Sequence, residues 1–246
     1  MTDSQWEVIE EILGDQRKRK YSLRQILNAL FYLNRSGCQW RMIPKEYPPY
    51  GICFYYYRKW SRDKTWERLN QALNRLVRLQ AGRKSSPSVG VIDAQSVKNS
   101  ERGVIDKGFD GNKKIQGRKR HIVIDTLGLI LVAVVHPANI HDSKGAYGVL
   151  SRLKEMNYRR MKMILADQGY RGCLSIWVEQ HCKWLLKIVK PVPEDRFSVI
   201  PMRWKVERTF SWLMWQRRLS RDFECMLDSA ENQIYIANIY RCLRKI

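Results

Sequence analysis

Two runs rich in β-branched residues, RKRHIVID and LGLILVAVVHP, are joined across Asp125, Thr126, Leu127 and Gly128. Such runs on either side of a short turn predict a pair of antiparallel strands. The elements around the pair restrict its setting. SVGVIDAQ, before it, is a short apolar run with the look of a buried strand. A polar stretch, VKNSERGVIDKGFDGNKKIQG, separates that run from the pair and reads as an exposed loop. After the pair, SKGAYGVLSRLKEM reads as a helix, MKMILAD as a strand, CLSIWVEQH as a helix, and KWLLKIVKP as a strand stopped by Pro191. RWKVERTFSWLMWQRRL and DSAENQIYIANIYRCLRKI then read as two helices, the last one amphipathic. Strand, strand, strand, helix, strand, helix, strand, helix, helix describes a mixed five-stranded α/β sheet that opens as an antiparallel meander.

Residues 1–80 follow another pattern. Thr2 or Asp3 is placed to cap a first helix with Trp6, Ile9 and Leu13 at helical spacing. Ser22 is placed to cap a second, with Leu23, Ile26, Leu27, Leu30 and Phe31 on one face and Gly37 closing it. GICFYYYRKWSRD and TWERLNQALNRLVRLQ predict two more. AGRKSSPS, residues 81–88, is a polar joint, so the expected division is a helical domain at 1–80, a linker at 81–88 and an α/β domain at 89–246.

Charge narrows the function classes. The 246 residues carry 45 Lys and Arg against 24 Asp and Glu, a formal +21. That excess favours a polyanionic partner, nucleic acid first, and makes the helical N-terminal part a candidate DNA reader of helix-turn-helix type. No apolar run is long enough to span a membrane, and the acidic start MTDSQWEVIEEILGD lacks the pattern of a signal peptide. The expected setting is cytoplasmic. The six cysteines are scattered, with no CxxC pair, and read as buried reduced thiols. Cys173, His181 and Cys182 have poor spacing for zinc and lack a fourth ligand.

Three acids stand where chemistry is possible. Asp93 closes the strand VGVID, Asp167 closes MKMILAD, and Glu207 lies alone among the cations and aromatics of the penultimate helix. Ligands of α/β sheets collect at the C-terminal ends of strands. Three converging carboxylates would make an all-oxygen site suited to a hard divalent cation, and two such ions can drive phosphoryl transfer. Each acid also has a plainer reading: a turn former for the aspartates, and an intrahelical ion pair with Arg203 for Glu207. Asp125 reads as a turn residue, Asp142 as a helix cap, and His136 and His141 as members of a polar strand-to-helix loop.

VIDAQSVK, GRKRHIVIDTLGLIL, ADQGYRG and RWKVERTFSWL resemble the insertion-sequence transposases of bacteria, most nearly the insertion sequence five family. TDSQWEVIEEIL, LRQILNALFYLNRSGCQWRMIPKEYPP and TWERLNQAL extend the likeness upstream, so it spans essentially the whole chain. The resemblance implies a ribonuclease H-like catalytic domain and a catalytic triad of Asp93, Asp167 and Glu207, with 73 and 39 residues intervening. It implies magnesium as cofactor, with manganese as a substitute and two ions held by the triad. It also implies cleavage and joining of double-stranded DNA at the inverted repeats of an element, by a bacterial, nucleoid-associated homodimer or higher oligomer pairing two ends. Related transposases carry Tyr, Arg, Glu and Lys around the glutamate. Here Arg203 keeps the arginine, Ile200 stands at the tyrosine position and Met214 at the lysine position, with Arg217 and Arg218 the nearby cations.

DNA contacts are expected from the N-terminal helices, from Lys98, Lys113, Lys114, Arg118, Lys119 and Arg120 around the loop and second strand, from Arg171, and from Arg203, Arg208, Arg217 and Arg218 along the Glu207 helix. Val206, Phe210 and Leu213 are its expected buried face. Trp204, Trp212 and Trp215 are candidates to stack on a base, Trp204 and Trp215 foremost. A nuclease of the same fold without strand transfer, and a catalytically idle DNA-binding protein, remain as alternatives.

Overall fold

The structure is a computed structural model that describes residues 1–100, 104–189 and 202–246, without the Arg203 side chain. Four helices come first: α1 (Asp3–Leu13), α2 (Leu23–Ser36), α3 (Tyr50–Arg62) and α4 (Thr65–Gln80). The local signals work as expected. Thr2 and Gln5 form a reciprocal capping box at α1, Ser22 and Gln25 another at α2, and Gly14 and Gly37 end the two helices in the left-handed conformation.

The sheet is built from β1 (Val89–Lys98), β2 (Gly108–Asp110), β3 (Ile115–Ile124), β4 (Ile130–Pro137), β5 (Met163–Ala166) and β6 (Leu185–Ile188). Five strands run in the order β4-β3-β1-β5-β6, and β2 pairs the first residues of β3. β1, β3 and β4 are antiparallel, while β1, β5 and β6 are parallel. With helices on both faces, this is the mixed ribonuclease H-like sheet. The helices are α5 (Asp142–Glu155), α6 (Leu174–Trp177), α7 (Arg203–Met214) and α8 (Leu227–Leu243). The expected five strands are all present. The addition is β2, inside the stretch read as an exposed loop. It is held by Asp110, which is buried against the Ser96 hydroxyl and within 3.8 Å of the Lys119 ammonium. Pro191 and Ile200 lie outside the described residues, as does part of that loop, 101–103.

Strand periodicity divides the interior into two cores. Ile92, Val123, Val132 and Ile164 face α5. Val91, Ile122, Ile124 and Ala133 face the other way, into a core shared with α8, α7 and the four N-terminal helices. The hydrophobic interior therefore continues through the joint at 81–88, although chain pattern changes there. α8 is the reason. It reads as amphipathic but is buried almost all round, between β4 on one side and α2 and α4 on the other. Its polar residues are accommodated by partners. Asn238 donates to the side-chain oxygens of Asn70 and Asn74, both of which donate to the Ile130 carbonyl. Glu231 accepts the Val135 N–H and pairs with Arg152. A buried polar group without such a bond costs about 1–3 kcal/mol.

Asp125 is structural, as expected: fully buried, it accepts the Leu127 and Leu129 amides and pairs with Arg78. The helix cap before α5 is a correction. His141, not Asp142, caps it by accepting the Ser143 amide, and Asp142 pairs with Lys119 at 2.8 Å. The six cysteines form no disulfide, and only Cys53, Cys182 and Cys242 are buried; Cys173 and Cys225 are exposed.

Candidate active site

Asp93 lies within β1, not at its end, because the strand continues five residues to Lys98. Its height is nevertheless what matters. β1 and β5 pair in parallel, with Val91 opposite Leu165. Carried two residues past that last pair, the register leads to Asp93, still in β1, and to Asp167, the first residue beyond β5. They share a face as well. Val91 and Leu165 point into the core beneath α7, and a step of two residues keeps that direction. Asp167 follows β5 directly with extended backbone and accepts the Gly169 amide at 2.8 Å, which starts a tight turn through Tyr170.

The third acid comes from α7. Val206, Phe210 and Leu213 are its buried apolar positions, as expected from their spacing, and Thr209 is buried beside them. That anchoring leaves Glu207 exposed on the adjoining flank. Asp93 and Asp167 line one narrow recess, together with Val206. Asp93 and Glu207 line the next, an open groove of about 520 Å³ that also receives Lys113, Ser211, Met214 and Trp215. Asp93 is thus common to both. The donor set is all oxygen and suits a hard divalent cation. Among the described residues no three His, Cys, Asp or Glu side chains are gathered tightly enough to hold an ion, so the three acids are linked by the recesses they line and not by a closed cluster.

Behind the Asp167 turn runs a buried polar chain. The Tyr170 hydroxyl is 2.8 Å from His121 Nε2, and His121 Nδ1 is 3.2 Å from His136 Nε2. Burial, then the neighbouring His136 and Lys119, hold the His121 imidazole well below the usual histidine range. His136 is shifted the same way, by burial first. His136 is therefore a buried β4 residue and not part of a polar loop. Gly145 on α5 makes room for it, since a Cβ there would lie 2.6 Å from His136 Nε2. Nothing in the spacing of His121, His136 and Tyr170 announces this chain. It appears only when β3, β4 and the Asp167 turn are brought together.

Asp93 lines both recesses, Asp167 the first and Glu207 the second. Residues 84–243 match the family model described as a transposase DDE domain, and residues 1–70 match one described as a putative transposase of the IS4/5 family. The chain belongs to the DDE transposases. It is 30% identical over 124 residues to a putative transposase for insertion sequence element IS402 from Burkholderia cepacia. The match covers 46% of this chain and 56% of that relative, so the chain spans about half the length of the curated protein it resembles.

The cations of this transposase fall into two groups. Lys98, Lys113, Lys114, Arg171 and Arg217 are exposed, and the Lys113 ammonium donates to the Ala94 carbonyl beside Asp93. Trp215 is 67% exposed at the groove. Trp204 is also exposed, but with Arg208 it lines a separate recess. Arg118, Lys119, Arg120 and Arg218, expected at the DNA surface, are buried. Arg118 pairs with Asp222 at 3.1 Å and donates to the Glu224 and Cys225 carbonyls; Arg120 donates to the Leu219 carbonyl. Lys119 is taken by Asp142 and the Ile140 carbonyl. Arg218 pairs with Glu224 at 2.8 Å and donates to the Cys38 carbonyl. The first three belong to β3, a strand covered on both faces, where a cation persists only with partners. No helix among the described residues is long and apolar enough to cross a membrane.

Proposed function

We propose that this transposase binds the ends of a mobile element and cleaves and rejoins DNA there, using Asp93, Asp167 and Glu207. The observation that carries this reading is that Asp93 lines both the recess of Asp167 and the groove of Glu207. The three carboxylates would hold one or two magnesium ions, with manganese as a substitute. Bound there, the metal would supply Lewis-acid stabilisation of the phosphoryl group and a nucleophilic oxygen near neutral pH. The protein's own part is placement. The sheet fixes the two aspartates, the Gly169 turn orients Asp167, and the packing of Val206 and Phe210 presents Glu207 along the groove. Lys113, Lys114, Lys98, Arg171 and Arg217 would hold backbone phosphates on either side, and Trp215 offers a ring for base stacking. The helical residues 1–80 would add contacts to the end sequence. Joining two ends calls for a homodimer or larger assembly.

The test is cleavage of a duplex carrying the element's own end, with magnesium, by the intact chain. Alanine at Asp93, Asp167 or Glu207 is expected to remove cleavage and strand transfer while gel-shift binding of the end persists. Full cleavage by Asp167→Ala would overturn the assignment. Cleavage without joining of labelled ends would favour a nuclease.

A further inference from the structure

The groove uses one flank of α7. A second flank carries Trp204, Lys205, Arg208 and Trp212. The Arg208 guanidinium lies 4.4 Å from the centre of the Trp204 ring and 4.5 Å from that of Trp212. Arg241, from α8, approaches the Trp212 ring to 4.4 Å. Lys245, just beyond α8, lines one recess together with Trp204, Lys205 and Arg208, closed by Thr126 and Leu127 of the β3–β4 turn. Three cations thus line the recess, Lys205 also donating to the Thr126 carbonyl, while Arg241 lies behind it in the neighbouring cavity with Trp212 and donates to the Gly128 carbonyl.

Among the described residues no carboxylate lines this recess. Asp125 is felt by Arg241 and Lys245, but it is buried and already engaged by Arg78. The cations feel one another. Burial, then Arg241 and Arg208, draw the Lys245 ammonium below its usual range. Burial lowers Arg241 to about 10, and Arg208 acts in the same direction. Donors are also left unmet: Nε of Arg208, and Nε and Nη1 of Arg241, are shut off from solvent without a hydrogen-bond partner. Clustered like charge works against the compact state unless an anion answers it. Guanidinium and ammonium groups converging from two helices suit a tetrahedral oxyanion, which accepts several charge-assisted bonds at once.

We propose that the recess between α7, the end of α8 and the β3–β4 turn is a phosphate-binding site, held by Lys205, Arg208 and Lys245 with Arg241 behind them. The phosphate has two possible sources, a small free phosphate compound or the backbone of a DNA segment lying across α7 away from the acids. Either would bind whether or not the protein transfers phosphoryl groups.

The experiment follows thermal unfolding of the full chain against pyrophosphate, with sodium chloride at matched ionic strength as control. Wild-type protein is expected to gain several degrees in a saturable manner, and Lys245→Gln and Arg208→Gln to lose at least half of that gain. Lys245→Gln alters an exposed residue, so it keeps the test open if Arg208→Gln does not fold. No saturable rise, or an equal rise in all three proteins, would overturn the proposal. The source is read from duplex binding at several salt concentrations. A slope of log affinity against log salt that is shallower by about one unit in each variant assigns the site to DNA. An unchanged slope, with the pyrophosphate effect lost, assigns it to a small phosphate. Loss of cleavage in the aspartate variants, with the pyrophosphate effect intact, separates this site from the catalytic one.

Discussion

His121 is enclosed between Tyr170 and His136, with its ring held neutral by burial. The unfolded chain takes up a proton at His121 below about pH 6.5, and the folded chain only at a much lower pH. The unfolded state then binds more protons, so stability falls as pH drops through about 6.5, by up to ~1.4 kcal/mol per pH unit from this residue. His136 acts in the same sense. Urea midpoints at pH 7.5, 6.5 and 5.5 should decline in wild type and decline less in His121→Asn; parallel curves would contradict it. Tyr170→Phe removes only the hydroxyl that ties the Asp167 turn to His121. Under the proposed function Asp167 is a metal ligand, and losing a partner behind a ligand typically costs 10–100-fold in metal affinity. The variant is expected to need about that much more magnesium in a metal-induced thermal shift, with an unchanged circular dichroism spectrum. A wild-type magnesium response would remove Tyr170 from this role. Gly145→Ala is expected to destabilise by about 1–3 kcal/mol, since its methyl group meets the His136 ring.

Among elements, β3 and α8 separate what a linear pattern reveals from what it conceals. The meander, the five main strands and the capped N-terminal helices were legible because period, turn residues and caps are local. The apolar runs before the two aspartates were legible as strands, but the continuation of β1 past Asp93 to Lys98 was not. What was not legible depends on neighbours. RKR at the start of β3 has the composition of a solvated cationic patch, and only the cover on both faces of the strand makes it a set of buried, paired cations. Arg118→Met should therefore cost roughly 3–5 kcal/mol by leaving Asp222 buried and unpaired, measured by denaturant unfolding. A loss of DNA affinity without a loss of stability would return Arg118 to the surface. The polar residues of α8 mislead in the same way, since Asn232, Gln233 and Asn238 suggest a wet face. Asn238→Leu should cost about 1–3 kcal/mol, because Asn70 and Asn74 each lose a buried donor.

At the scale of the molecule, the family models divide the chain between residues 70 and 84, yet one hydrophobic interior runs across that division. The N-terminal helices serve as the outer layer over α8. A fragment beginning at residue 84 exposes the apolar side of α8 and is expected to aggregate or unfold without a cooperative transition. Adding residues 1–80 as a separate chain should restore a single calorimetric peak, whereas an independently stable fragment would argue for two self-sufficient domains. The position of α8 also sets an order of events during synthesis. It leaves the ribosome after every other described element, and both halves need it to complete their interior. Neither the N-terminal helices nor the acid-bearing sheet can mature on the nascent chain, so a message cut short upstream of residue 227 is expected to yield no folded partial product.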